Sequence, residues 1–158
     1  MEHKESHELD QEALKGYKAN VSPVTKAMLH WDRELIFTGR TMKGYELEFD
    51  AQMEWGCIPT ESLLISVAGC LAIDMVSFLT KMKGELTEFK VDIKGDRNPT
   101  PPQFYKNIDI KVHITGKNLN EKKVKRAIAL SQEKYCSVYH SLRKDLTVNV
   151  DYVLKEAE

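Results

Sequence analysis

Residues 59–83 read "PTESLLISVAGCLAIDMVSFLTKMK", the longest apolar stretch of the chain. Pro59 suits the first position of a helix and Glu61 the positive end of its dipole, while Gly84 marks a stop. From Leu63 to Leu79 there are 17 residues with Asp74 as the sole charge. A bilayer-spanning helix takes about 20 apolar residues. The run is therefore short for a membrane, and its Gly, Ser, Cys and Asp weaken that reading further. A water-soluble helix that is apolar on nearly every side must be covered on every side. One sheet of this chain covers part of it, so a second helix or a second copy of the chain must cover the rest. A homodimer is the expectation.

The flanking segments supply the sheet. Leu29 to Thr38 has strand character, and "GYELEF" (44–49) alternates Tyr45, Leu47 and Phe49 with Glu46 and Glu48. "GRTMKG" (39–44) between them suits a hairpin connection. Beyond the helix, Phe89, Val91 and Ile93 share one face of a strand, and Ile108, Ile110, Val112 and Ile114 share one face of the next. "GDRNPTPPQ" (95–103) joins them as a loop. A helix from Asn120 carries Val124, Ile128 and Tyr135, and "KYCSVYHSLRK" (134–144) holds a break and a second short helix. "LTVNVDYVL" (146–154) is the last strand. The order β-β, long helix, β-β, two helices, β is an α+β class with a mostly antiparallel sheet. Residues 1–25, with Leu9, Ala13 and Tyr17 on one helical face, read as a helical appendage to a single domain over 26–158.

The 158 residues, net charge of −1 and 30% charged content describe an ordinary globular chain. That balance argues against nucleic acid or an anionic membrane as partner. "NEKKVKRA" (120–127) is a solvated helix face without an aromatic platform. The polar N-terminus lacks a signal-peptide core, so a cytoplasmic location is expected. Three cysteines, Cys57, Cys70 and Cys136, are too few for a disulfide scaffold and point to packing, metal ligation or redox chemistry.

Cys70 and Asp74 are four residues apart, so they lie one turn apart on nearly the same helix face. Cys70 alone suits close packing beside Gly69. A buried Asp74 needs a donor or a cation. A nearby arginine would satisfy it and would favour a thiolate at Cys70, which the aspartate alone would disfavour. Arg97 is either that cation or a loop residue. Cys136 at the start of a short helix would meet unpaired backbone N–H groups, with His140 one turn on. A metal site from Cys70, Cys136 and His140 is a further reading, without C-x-x-C or H-x-x-x-H spacing to support it. Cys57, in the loop "EWGCIP", has little to recommend it.

The helix run, "GDRNPTPPQFYKNIDIKVHITG" and "EKYCSVYHSL" together resemble the OsmC/Ohr family, particularly its OsmC-like branch, from about Trp31 to Leu154. The resemblance implies an OsmC-like fold in an intertwined homodimer, two long helices wrapped by two sheets. It also implies reduction of organic hydroperoxides, with Cys70 as the peroxidatic and Cys136 as the resolving thiol, turned over by a cellular dithiol. No metal or organic cofactor is implied. A dry helix favours long-chain or aromatic hydroperoxides. The family's arginine and glutamate fall near Arg40 and Glu61. In the peroxidase subfamily the glutamate directly follows the proline, whereas here Thr60 holds that place. The alternative is an OsmC-like dimer that binds a small apolar ligand or performs other thiol chemistry.

Overall fold

The computed structural model describes residues 11, 12 and 14–158; the helical reading at Leu9 and Ala13 lies outside them. The chain forms two compact units, one of Ala19–Ile65 and one of Ser66–Glu158 with the described residues up to Lys18.

The smaller unit is built on an antiparallel meander of β1 (Ala27–Arg33), β2 (Ile36–Thr41) and β3 (Glu46–Asp50). The single strand expected over Leu29–Thr38 is thus two strands. Arg33 pairs with Ile36 across a two-residue turn in which Glu34 takes φ 45°. The charged triplet Asp32-Arg33-Glu34 interrupts the apolar alternation there, which favours a solvated turn. Gly39 lies inside β2, and the second hairpin closes at Gly44, whose φ of 87° only glycine adopts freely. One face aligns Leu29, Gly39 and Leu47, then Trp31, Phe37 and Phe49.

Helix α1 (Pro59–Lys81) starts in this unit and ends in the other. Its 23 residues exceed the run expected from the sequence and are long and apolar enough to cross a bilayer by length and composition. It is nevertheless a core helix: Val67, Leu71, Met75, Phe78 and Leu79 are buried, and its aspartate is bonded inside the fold. The expected glycine stop has a different basis. Lys83, at φ 60°, takes the left-handed position, and the Gly84 N–H closes the end on Leu79 O at 2.8 Å. A Cβ at Gly84 would lie 2.2 Å from Leu119 Cδ2 and 3.0 Å from Leu79 O, so a larger residue there would have to displace the Leu119 side chain.

In the larger unit β4 (Glu85–Arg97), β5 (Tyr105–Lys117) and β6 (Thr147–Glu156) form a second sheet in that order. β4 and β5 are antiparallel, whereas β5 and β6 are parallel, because a helical crossover brings the chain back in the same direction. Ile108, Ile110, Val112 and Ile114 are buried along β5, flanked by Phe89, Val91 and Ile93 on one side and Val148, Val150 and Tyr152 on the other. The opposite face carries Lys90, Asp92, Lys94, Lys111 and Asp151. That is the period-two pattern of a half-buried sheet.

The crossover contains α2 (Glu121–Leu130), a five-residue π-turn (Ser131–Tyr135) and α3 (Ser137–His140). Asn120 caps α2 by accepting the Lys123 N–H at 2.9 Å. Val124, Ala127 and Ile128 bury its apolar face. The regular spacing read from Val124 to Tyr135 fails after Leu130, where the wider π-turn begins. Cys136 ends that turn and caps α3.

Candidate active site

The larger unit brings Cys70 and Cys136 together. Cys70 lies on α1 and Cys136 at the junction of the π-turn and α3. Their Sγ atoms and a carboxylate oxygen of Asp74 lie within 4.8 Å of one another. Cys136 is 2% exposed, while Cys70 is partly open. Beside Cys136 a small cavity is lined by Val67, Leu71, Ile110, Val148 and Val150 together with Ser131, Gln132 and Tyr139, so the surroundings are mainly but not wholly aliphatic.

The short helix influences Cys136 as the sequence suggests, though a stronger effect opposes it. The Tyr139 N–H points at Cys136 Sγ at 3.4 Å and favours a thiolate. Burial disfavours the charged form more, and a hydrogen bond shared with Cys70 adds to it, so the Cys136 thiol is pushed up to about 12. In the unfolded chain the same thiol ionises near 9. Above that pH the unfolded state holds fewer protons than the folded one, so stability falls as pH rises. The contribution is complete below about pH 9 and is lost progressively towards pH 12. Urea midpoints should therefore drop between pH 8 and pH 10.5, and Cys136→Ala should flatten that part of the drop.

Asp74 is fully buried and all its needs are met. Oδ1 accepts from the Tyr17 hydroxyl at 2.5 Å and pairs with Lys18 Nζ at 2.8 Å, and Oδ2 accepts from Ser131 Oγ at 2.8 Å. The cation is therefore a lysine from the N-terminal segment. Arg97 instead donates from Nε to Gln103 O at 2.7 Å and holds its own loop. Burial and the neighbouring carboxylate push the Tyr17 phenol up, so it stays a donor. Tyr17, Phe78 and Tyr135 pack edge to face with centroids 4.9–5.4 Å apart.

Tyr17, Lys18 and Ser131 were not legible as site residues. The buried carboxylate signalled that donors must exist, but nothing near Asp74 in the chain indicated which.

Of the other candidates, Arg40, Glu61 and Cys57 are engaged within the smaller unit and His140 within the larger one. Arg40 on β2 pairs with Glu46 on β3. Glu61 is at the third helical position and accepts the Ile58 N–H at 3.0 Å, closing the start of α1 as a capping box does. Cys57 Sγ sits 3.7 Å from Glu48 O. His140 stacks edge-on against Tyr139 at 5.4 Å. The three groups close enough to share a metal ion, among the described residues, are Cys70, Asp74 and Cys136, so His140 is not among them. Both Asp74 oxygens are already taken by protein donors.

The OsmC-like protein family profile matches residues 49–151. YhfA of Escherichia coli K12 is 31% identical over 128 residues, which cover 80% of this chain and 96% of YhfA. A hypothetical protein from Aquifex aeolicus superposes with TM-score 0.79 at 31% identity, covering 87% of this chain and all of that one. The organic hydroperoxide resistance protein OhrB of Bacillus subtilis shares the fold at 15% identity and TM-score 0.54, with 84% and 98% covered.

Proposed function

The chain belongs to the OsmC-like family, and from that premise we propose that it reduces organic hydroperoxides to alcohols through a cycle on Cys70 and Cys136. The observation that carries this reading is the pair of sulfurs within 4.8 Å on two different elements, one open and one buried. An open thiol admits a peroxide. A buried thiol is kept away from the peroxide and stays reduced until the sulfenic acid forms beside it, and it gives up its proton when it attacks.

The Cys70 thiolate attacks the distal oxygen of R–O–O–H. The O–O bond breaks, the sulfur becomes a sulfenic acid, and the departing alkoxide takes a proton to leave as R–OH. The Cys136 sulfur then attacks the sulfenic sulfur, releasing water and forming the disulfide. An S–S bond of roughly 2 Å requires the two sulfurs to move closer. A cellular dithiol donates two electrons and two protons to restore both thiols. Any part taken by Arg40 or Glu61 would first require the release of Glu46 or of the helix cap. Thiols that must stay reduced between cycles fit a cytoplasmic location.

The same reading makes the protein a homodimer. On α1, Ile65 and Ile73 are 63% and 67% exposed, and a Cβ at Gly69 between them would meet nothing. On the small sheet Trp31 and Leu29 are 68% and 59% exposed. Apolar surface of this extent in both units calls for a partner. Light scattering should give a mass of twice 18.1 kDa; a monomer at micromolar concentration would count against the assembly.

The test of the activity is consumption of cumene hydroperoxide with a dithiol as reductant, followed by mass analysis for a Cys70–Cys136 disulfide. Oxidised protein without that disulfide, or no consumption at all, leaves the alternative of a ligand-binding or differently acting thiol protein.

A further inference from the structure

We propose that Lys18 and Tyr17 are positioning residues of the thiol site, acting on Cys70 and Cys136 through Asp74. The inference rests on the reading of Cys70 as the reacting thiol.

The two oxygens of Asp74 gather both ends of the π-turn that delivers Cys136. Ser131, its first residue, is held directly on Oδ2 at 2.8 Å. Tyr135, its last residue and the one before Cys136, is held through Lys18. The Lys18 ammonium lies 2.8 Å from Asp74 Oδ1 and donates to Tyr135 O at 2.7 Å. Tyr17 fills the remaining donor position on Oδ1, and its ring rests on Phe78 and Tyr135. The segment ahead of the first strand therefore ties α1 to the turn bearing the second sulfur.

The ammonium has an electrostatic part as well. A carboxylate within 4.8 Å of two sulfurs opposes negative charge on either. Three groups carry or share charge against the sulfur pair: Asp74 from α1, Lys18 from the N-terminal segment and Tyr17 beside it. Tyr135 and Tyr139 flank Cys136, and His140 packs on Tyr139. Lys81 and Lys134 lie 5.7 and 5.2 Å from the Tyr17 and Tyr135 ring centroids. Lys18 alone among these cations pairs with Asp74. Without it the carboxylate acts on Cys70 unopposed.

The experiment follows iodoacetamide alkylation of Cys70 in the full chain, resolved by peptide mass spectrometry across pH 6–10. Lys18→Met should slow alkylation at pH 7.5 by about tenfold and displace the rate–pH curve upward, given unit charges a few ångströms apart and partial solvent screening. Lys18→Arg should keep most of the wild-type rate. Lys18→Met combined with Asp74→Asn should recover it, because the opposing charge is gone. A merely structural role predicts no such recovery, so a double variant as slow as Lys18→Met overturns the proposal. A wild-type curve for Lys18→Met overturns it too. The readout needs no hydroperoxide. A wild-type protein that fails to consume peroxide while Lys18→Met still displaces the curve removes the peroxidase reading and leaves this one standing.

Discussion

Cys70→Ser should abolish the proposed hydroperoxide turnover, with a fall of at least about a hundredfold, since a serine hydroxyl in the same place cannot take up the peroxide oxygen and be reduced again. Cys136→Ser gives a different result. The first attack needs only Cys70, so one equivalent of hydroperoxide per chain should disappear quickly. The reaction should then stop at a sulfenic acid, which dimedone traps and mass spectrometry locates at Cys70. Steady-state consumption with a dithiol measures the first variant, and a rapid single-turnover assay the second. Full activity in Cys70→Ser would remove the proposed chemistry altogether. The two variants have opposite expectations for the burst, so a general loss of folding cannot imitate the pattern.

Asp74→Ala has the largest expected effect on stability. Removing the carboxylate leaves the Ser131 and Tyr17 hydroxyls and the Lys18 ammonium without their acceptor at a fully buried position. Breaking one side of a buried ion pair costs roughly 3–5 kcal/mol. Lys18 is a third exposed and can return to water, which favours the lower end. For a chain of this size each kcal/mol moves Tm by about 2–4 °C, so a drop of roughly 6–20 °C is expected by calorimetry. Asp74→Asn retains an oxygen acceptor and should lose distinctly less. Equal melting temperatures for wild type and Asp74→Ala would mean that the network contributes no stability.

Much of the architecture was open to reading because it rests on local periodicity. The alternation of Ile108, Ile110, Val112 and Ile114 fixes a strand and its buried face, and Leu63–Leu79 fixes a helix, since each segment must hide its apolar side. The break at Cys136 was visible as well. Parallel pairing of β5 with β6 follows from the helices in the connection, while the other three pairings are antiparallel, in keeping with the mostly antiparallel expectation. Periodicity does not signal the turn at Glu34, because Leu29–Thr38 is strand-like apart from three charges.

By itself the sequence determined the α+β class, the family, and two thiols placed where a helix face and a helix start would carry them. Only the tertiary structure decided that Cys70 and Cys136, 66 positions apart, come within 4.8 Å. It also decided that Asp74 is satisfied by Tyr17, Lys18 and Ser131, each 56 or 57 positions away, where an arginine was expected. Periodicity reports which side of an element is buried, because that depends on neighbours within a turn or a pleat. Which donor reaches a buried carboxylate depends on how distant segments pack, and no spacing along the chain encodes it.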